Sequence, residues 1–192
     1  MSRYRIYIIF SAIIFAGLLA VLLISLGYYP IMVVNGDFIS AGHFLREYRA
    51  ASRYYGNFLQ TYESAVKDGE KLGERDIQLI VLDGLVEKSL ISRGAKKVTG
   101  NDLNDLVSKK LQGIIGDQKL ESMAASLYGL SGGEFARDVL VPQAEREILA
   151  GRLFLNGENI DGWLLDARGS ASVITFSPGF SWNGKFVEAV EG

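Results

Sequence analysis

A long run of residues without a single charged side chain, 6–27, constrains this chain more than any other feature. It reads IYIIFSAIIFAGLLAVLLISLG. At 1.5 Å per residue it makes a helix of about 33 Å, enough to cross the roughly 30 Å hydrocarbon core of a bilayer. A helix satisfies its own backbone hydrogen bonds in lipid. The run therefore predicts a transmembrane signal-anchor helix over residues 6–28.

The charges around this run predict its orientation. Arg3 and Arg5 precede it, and no Lys or Arg follows before Arg46. The positive-inside rule then places residues 1–5 in the cytoplasm, and the main domain outside a single-pass cell membrane protein. A cleaved signal peptide is the competing interpretation, because Ser25 and Gly27 have cleavage-site spacing, although the run exceeds the usual h-region of about 7–15 residues. The third interpretation of residues 6–27 is a buried helix of a soluble protein.

Composition narrows the function classes. Beyond Arg3 and Arg5 the chain carries 18 basic and 22 acidic residues, which argues against nucleic-acid binding. There is no Cys and a single His, His43, so a zinc site is not expected. Neither a dinucleotide fingerprint nor a phosphate-binding loop occurs. We therefore expect no cofactor and no small-molecule substrate.

The rest of the chain reads as mainly helical. The strongest pattern is a stripe of Phe, Tyr and Ala at alternating steps of four and three residues, typical of an amphipathic helix. Gly94 is expected just past the end of the second helix, and Pro142 is expected to kink the fifth. The predicted helices are Gly42–Lys67, Glu74–Arg93, Asn101–Ile115, Gln118–Tyr128, Ser131–Phe154 and Asp161–Arg168.

Two β-rich segments flank these helices. Ile31–Ile39 contains Asn35-Gly36, a strong turn signal, and predicts a short strand or tight hairpin. Ala171–Phe176 predicts a second strand. Because an isolated strand leaves its backbone groups unpaired, we expect the two to pair in a small two-stranded β element. The tail, residues 177–192, is predicted to be irregular and aromatic.

Four stretches of this sequence resemble the N-terminal chaperone module of SurA-like and PrsA-like exported foldases. They share with it an opening strand with an Asn-Gly turn, an aliphatic helix, a helix after a Ser or Thr cap, and a terminal helix with a return strand. The stretches are VVNGDFISAGHFLREY (Val33–Tyr48), IVLDGLVEKSLISRGAKKVTGNDL (Ile80–Leu103), LSGGEFARDVLVPQAEREIL (Leu130–Leu149) and WLLDARGSASVITF (Trp163–Phe176).

The resemblance implies a SurA N-terminal-like helical domain over residues 31–176. It departs from the family in one respect, since only about eight residues separate Phe154 from Trp163. That spacing leaves no room there for the parvulin prolyl-isomerase domain of the larger foldases. The resemblance therefore implies the chaperone half without the catalytic half, and whether the chain is an enzyme stays open, with the balance against it.

Residues capable of catalysis have simpler structural interpretations. Asp37, Ser40 and His43 fall within one turn at a helix start, where Ser40 is expected to be an N-cap rather than a triad member. The acidic pairs Asp102 with Asp105 and Glu145 with Glu147 are expected on solvated helix faces.

The sequence thus predicts a non-catalytic, membrane-anchored holdase for unfolded or emerging exported polypeptides. The candidate binding residues lie on the first external helix, where neighbouring Tyr54 and Tyr55 cannot both point inward at the same depth. They are Tyr54, Tyr55, Phe58 and Tyr62. In the tail, Phe180 and Trp182 are expected to dock on the domain or on a partner. The alternatives are a structural subunit that docks to one membrane-complex partner and a residual peptidyl-prolyl isomerase.

Overall fold

A computed structural model describes residues 2–62 and 71–190. The fold is mainly helical, as predicted. Its helices are α1 (Ser2–Ser25), α2 (Ala41–Tyr62), α3 (Glu74–Thr99), α4 (Leu103–Leu111), α5 (Gln118–Leu127), α6 (Gly132–Phe135), α7 (Val141–Leu155) and α8 (Ile160–Gly169). Its strands are β1 (Pro30–Val34), β2 (Asp37–Ser40), β3 (Val173–Thr175), β4 (Phe180–Trp182) and β5 (Val187–Ala189).

Helix α1 is long and apolar enough to cross a membrane. The qualifying stretch is Tyr7–Ser25, with a mean hydropathy of 2.8, and none of it is buried against the other described residues. A secretory signal sequence has the same properties. Within Tyr7–Ser25, apolar side chains lie on all sides of the helix rather than along one stripe, unlike those of an amphipathic helix.

The two-stranded β element predicted from the sequence is wrong in its strand count. Strands β1, β2 and β3 form a three-stranded antiparallel sheet in the order β2-β1-β3. Asn35 and Gly36 both have positive φ, 51° and 91°, as a tight hairpin turn requires, and they split the predicted Ile31–Ile39 strand into β1 and β2. The expected pairing of this segment with 171–176 is confirmed by the β1–β3 ladder.

The tail is also more regular than predicted. Strands β4 and β5 pair as an antiparallel hairpin, so the irregular tail expected from its Gly and Pro content is wrong for residues 180–189. Val187 is buried, and the Arg168 guanidinium donates to the Lys185 carbonyl oxygen at 2.9 Å. Tertiary contacts of this kind determine the hairpin, and a local sequence pattern does not report them.

Helix α3 is the centre of the domain, because it packs against α2, α7, α8 and β5. It also runs past Gly94 to Thr99, so the expected helix end at Arg93 is wrong. Gly94 has another function there: a Cβ at this position would lie 2.5 Å from the Trp163 ring. The glycine is a point of close helix contact rather than a helix end.

The described residues form three apolar clusters, of which two lie along α3. The first lies between the sheet, α2 and the N-terminal half of α3, and the tail hairpin covers it. The second joins the C-terminal half of α3 to α4, α7 and α8. The third, built around Ala50, Ala124, Leu130 and Phe135, joins α2 to α5 and α6.

The fifth predicted helix is continuous from Gly132 to Leu155 but changes its winding. The predicted capping box is present, with the Glu134 amide donating to Ser131 Oγ at 3.3 Å and the Ser131 amide donating to Glu134 Oε2 at 3.0 Å. Residues Ala136–Leu140 then form a π-helical segment directly before Pro142. The helix irregularity expected at Pro142 is therefore a wider, π-helical turn that precedes the proline.

Candidate functional site

An aromatic cleft lies where α2 faces the π segment. We use this name for the cavity of about 220 Å³ lined by Arg46, Glu47, Ala50, Ala51, Tyr54, Tyr128, Leu130, Asp138 and Val139. One side presents apolar and aromatic groups, and the other presents charged groups. Its volume is below the roughly 300–1,000 Å³ of typical small-molecule sites, so it suits one large apolar side chain.

Stacked tyrosines form one wall of the aromatic cleft. The rings of Tyr54 and Tyr128 lie 5.1 Å apart between centroids and are nearly parallel, at 7°. Tyr128 also contacts the buried Phe135 at 5.4 Å, which supports this wall from behind. Burial and the neighbouring Tyr54 raise the pKa of Tyr128 above its usual value, so its hydroxyl stays protonated to a higher pH than that of a free tyrosine.

The predicted binding residues on α2 separate into two groups. Tyr54 is 46% exposed and lines the aromatic cleft. Tyr55 points away from it, packs on the first apolar cluster and accepts a 2.7 Å hydrogen bond from the Leu72 amide through its hydroxyl. Phe58 is 40% exposed and stacks on Tyr55 at 6.5 Å. Tyr62 ends α2, and its side chain lies outside the described residues.

The predicted tail residues pack on the domain itself. Phe180 and Trp182 are partly buried against the first apolar cluster and do not line the aromatic cleft. Of the five predicted residues whose side chains the structure describes, Tyr54 alone therefore lines the aromatic cleft. Tyr55 and the two tail residues support the fold in these positions.

A charged cluster forms the polar wall of the aromatic cleft. The Asp138 side chain is 4% exposed, and it accepts hydrogen bonds from Arg137 at 2.8 and 3.0 Å and from Arg46 Nε at 3.3 Å. Burial alone would raise the pKa of this carboxyl, but the two guanidinium groups outweigh burial and leave it lowered. Asp138 is therefore ionised, and its charge is balanced by the two arginines.

Lys88 connects α3 to the same cluster. Its ammonium donates to Glu47 Oε1 at 2.6 Å and to the Asp138 carbonyl oxygen at 2.7 Å. That carbonyl lies four residues before Pro142, which has no amide hydrogen to donate to it. Lys88 thus supplies the donor that the proline lacks, and holds the π segment against α3. Burial acts to raise the pKa of Glu47, but its contacts with His43 and Lys88 leave it lowered.

His43, Glu47 and Asp138 bring three possible metal-ligand atoms within 4.8 Å of one another. The two carboxylates are already engaged by Arg46, Arg137 and Lys88. A divalent cation would have to displace or face these three positive groups. The arrangement is accordingly better suited to an internal ion-pair cluster than to a metal site.

A second cleft lies on the other side of the π segment, between α3 and α7. Its volume is about 650 Å³, and it shares Val139 with the aromatic cleft. Its apolar lining includes Ile91, Leu140 and Pro142, and Glu87 and Arg146 form an ion pair at its edge. The two clefts therefore flank the π segment and offer two neighbouring apolar depressions.

Sequence reasoning missed the residues that build the polar wall, above all Asp138. The available signal was an acidic residue four positions before Pro142 and directly before the apolar pair Val139-Leu140.

The other acidic residues behave mostly as expected: Asp102, Asp105 and Glu147 are exposed. Glu145 is half-buried instead, and burial raises its pKa despite a hydrogen bond with Ser92. Ser40 caps α2, accepting from the His43 amide at 3.2 Å.

Comparisons with known proteins return no match, whether with family models, curated protein sequences or solved structures. The similarity to the SurA-like chaperone module stays a prediction from the sequence.

Proposed function

We propose that this protein is a membrane-anchored, extracytoplasmic holdase that binds unfolded or emerging exported polypeptides without catalysing a reaction. The observation that carries the proposal is the aromatic cleft, in which the half-exposed Tyr54 stands over an apolar floor. Exposed aromatic surface beside an apolar depression is suited to contact with apolar side chains of many sequences. The resemblance to exported foldases, which rests on packing patterns, points to the same class.

The size of the clefts supports weak and reversible binding. Burying one large apolar side chain contributes about 1.5–3 kcal/mol, so two neighbouring depressions offer about 3–6 kcal/mol before the entropic costs of binding. A dissociation constant of 1 mM corresponds to about 4.1 kcal/mol. Each contact is therefore weak, as is expected of a protein that must release its clients.

Helix α1 supports the location. In this proposal it stays in the cell membrane with residues 1–5 in the cytoplasm, so the domain from Tyr28 onward works outside, close to where exported chains emerge. The excess of acidic residues in that domain does not favour nucleic acids. The expected partners are polypeptides and the membrane.

A non-catalytic role fits the chemistry of the cleft. The charged groups on its polar wall pair with one another, which leaves them poorly placed to transfer protons to a substrate. Helix α7 ends at Leu155 and α8 begins at Ile160, so the segment between them is too short for an inserted isomerase domain. Residual prolyl isomerisation is tested by following a proline-containing peptide at several protein concentrations; a rate that rises in proportion would contradict this part of the proposal.

A single-partner structural subunit is the second candidate. It is favoured by Phe154 and Leu155 at the end of α7, which are 79% and 77% exposed. Neither residue lines the two clefts. An apolar pair of this kind suits one fixed docking partner better than many transient clients.

The discriminating experiment measures suppression of aggregation of a chemically denatured reporter by the full-length protein in lipid nanodiscs. We expect Tyr54→Ser to reduce suppression several-fold, because it removes the exposed wall of the aromatic cleft. Phe154→Ser is the matched control and is expected to leave suppression unchanged. Tyr55 is left intact, because its hydroxyl holds the Leu72 amide and its loss would disturb the fold.

Circular dichroism checks that both variants keep their helical content. Equal suppression by wild type and a folded Tyr54→Ser variant would contradict the proposed surface. Loss of suppression in Phe154→Ser alone would instead favour the α7 end as the binding surface.

A further inference from the structure

The sheet formed by β1, β2 and β3 has an apolar face that the other described residues, within 2–62 and 71–190, leave uncovered. Strand alternation directs Met32, Val34 and Ile39 into the core, where all three are buried. The opposite side, which we call the outer sheet face, consists of Val33, Phe38, Ile174 and Phe176. Phe38 is 76% exposed, Ile174 54% and Phe176 56%.

The residues of this face are neighbours across the strands. Val33 on the central strand pairs with Phe38 on one side and with Ile174 on the other. Phe176 follows two positions after Ile174 and therefore points to the same side. The face is thus a contiguous apolar surface, and such surfaces on folded domains usually mark a site of contact.

A short, fixed joint connects this sheet to α1. Helix α1 ends at Ser25 and β1 begins at Pro30. The Gly42 amide donates to the Gly27 carbonyl oxygen at 2.8 Å. Gly27 has a φ of 72°, and a Cβ on it would approach the Gly42 amide nitrogen to 2.9 Å, so the joint requires glycine at this position. The sheet is thereby held next to the end of the apolar helix.

The distance from the predicted end of the membrane span to Phe176 is comparable with the thickness of the headgroup region. The Phe176 amide donates to the Ile31 carbonyl oxygen at 2.8 Å, so Phe176 lies beside a residue only two positions after Tyr29. At about 3.3 Å per strand residue this is roughly 7 Å. The headgroup region of one leaflet is about 5–7 Å thick. Tyr28 and Tyr29, which are 67% and 47% exposed, lie between α1 and β1.

We propose that the outer sheet face lies in the headgroup region of the bilayer that α1 spans, and holds the domain against the membrane surface. The inference rests on the membrane-anchoring part of the proposed function and not on client binding. Lipid is the occupant that the structure favours, because the joint fixes this face within reach of the span, and aromatic side chains are enriched at membrane interfaces. A second copy or a protein partner would have to displace the bilayer surface, which α1 always keeps next to this face.

The chain contains no Cys, so one introduced cysteine labels one site. The full-length protein carrying Ile174→Cys is labelled with a bimane fluorophore and reconstituted in vesicles of phosphatidylethanolamine and phosphatidylglycerol. Quenching by nitroxide lipids labelled near the headgroup is then measured. Phe154→Cys, at an exposed position on α7, is the matched control. Phe15→Cys, near the middle of α1, reports on the span with nitroxides placed deep in the acyl chains.

We expect quenching at position 174 to be several-fold stronger than at 154, and strong deep quenching at position 15. Adding Phe38→Ser and Phe176→Ser to the Ile174→Cys protein should lower its quenching towards the control level. If quenching is strong at position 15 but equally weak at positions 174 and 154, α1 spans the membrane but the outer sheet face does not touch it. That result would overturn the inference and leave the membrane anchor intact. Weak quenching at position 15 as well would overturn both.

Discussion

Replacing Gly94 by alanine is expected to destabilise the domain, against the usual effect of this substitution in a helix. Gly to Ala in a helix interior normally stabilises by about 1 kcal/mol. At position 94, however, the new Cβ would lie 2.5 Å from Trp163 Cζ2 and Cη2 and 3.1 Å from Leu149 Cδ2. Carbon atoms prefer separations of about 3.5–4.0 Å, so the overlap with the indole ring is close to 1 Å.

The magnitude follows from these opposing effects. Overpacking a dense core typically costs about 1–3 kcal/mol, and the upper end applies because the indole ring is rigid and partly buried in the second apolar cluster. Subtracting the gain of about 1 kcal/mol in helix propensity leaves a net loss of about 2 kcal/mol. The same helix offers a matched control: Gly84→Ala would meet nothing within 4 Å and should stabilise by about 1 kcal/mol.

Urea unfolding of the full-length variants in detergent, followed by circular dichroism, measures both free energies. Trp163→Phe in the Gly94→Ala background should recover part of the loss, because the smaller ring relieves the overlap; the double-mutant cycle isolates this coupling. If Gly94→Ala proved as stable as Gly84→Ala, the close contact between α3 and α8 would be refuted, and with it the reason why α3 continues past this glycine.

Three further predictions concern the ion pairs and caps. Asp138→Asn should lower the free energy of unfolding by about 1.5–3 kcal/mol in urea titrations at pH 7. Because folding lowers the pKa of Asp138, its carboxylate stabilises the folded state at pH values above the ordinary pKa of 3.8. The stability difference between Asp138 and Asn should therefore disappear as the pH falls through the lowered pKa. Arg168→Ala removes hydrogen bonds of 2.9 and 3.0 Å to Asp83 and should expose the β4–β5 hairpin to limited proteolysis, which a resistant tail would contradict. Ser131→Ala, which removes the cap on α6, should cost about 1 kcal/mol in the same unfolding assay, and a change near zero would count against that cap.

Much of the fold is encoded in local patterns. The uncharged run predicts α1, the aromatic stripe predicts α2, and the Ser131–Glu134 box is found as predicted. The Asn35-Gly36 turn predicts a hairpin because both positions must adopt positive φ, which few residues tolerate. Each of these signals is read from neighbours within a few residues.

Other features depend on contacts between distant segments. Gly94 is indistinguishable in sequence from a helix-ending glycine, and only Trp163 packed above it explains its place inside α3. Asp138 is buried in contact with two residues far away in sequence, since Arg46 donates to its carboxylate and Lys88 to its backbone carbonyl oxygen. The tail hairpin forms in the same way, through Arg168 and Lys185. The aromatic cleft combines both cases: the sequence predicts that Tyr54 and Tyr55 cannot both point inward at the same depth, but it does not indicate the stacking partner Tyr128.

Photo-crosslinking in intact membranes shows directly whether many exported polypeptides bind at the aromatic cleft. A photoreactive phenylalanine analogue is placed at position 54, in the aromatic cleft, or at position 154, on the exposed end of α7, and the products are identified by mass spectrometry. A holdase should give crosslinks to many exported polypeptides in low yield from position 54 and to few from position 154. One partner in fixed ratio at position 54 would contradict the holdase proposal and identify the protein as a structural subunit of a membrane complex.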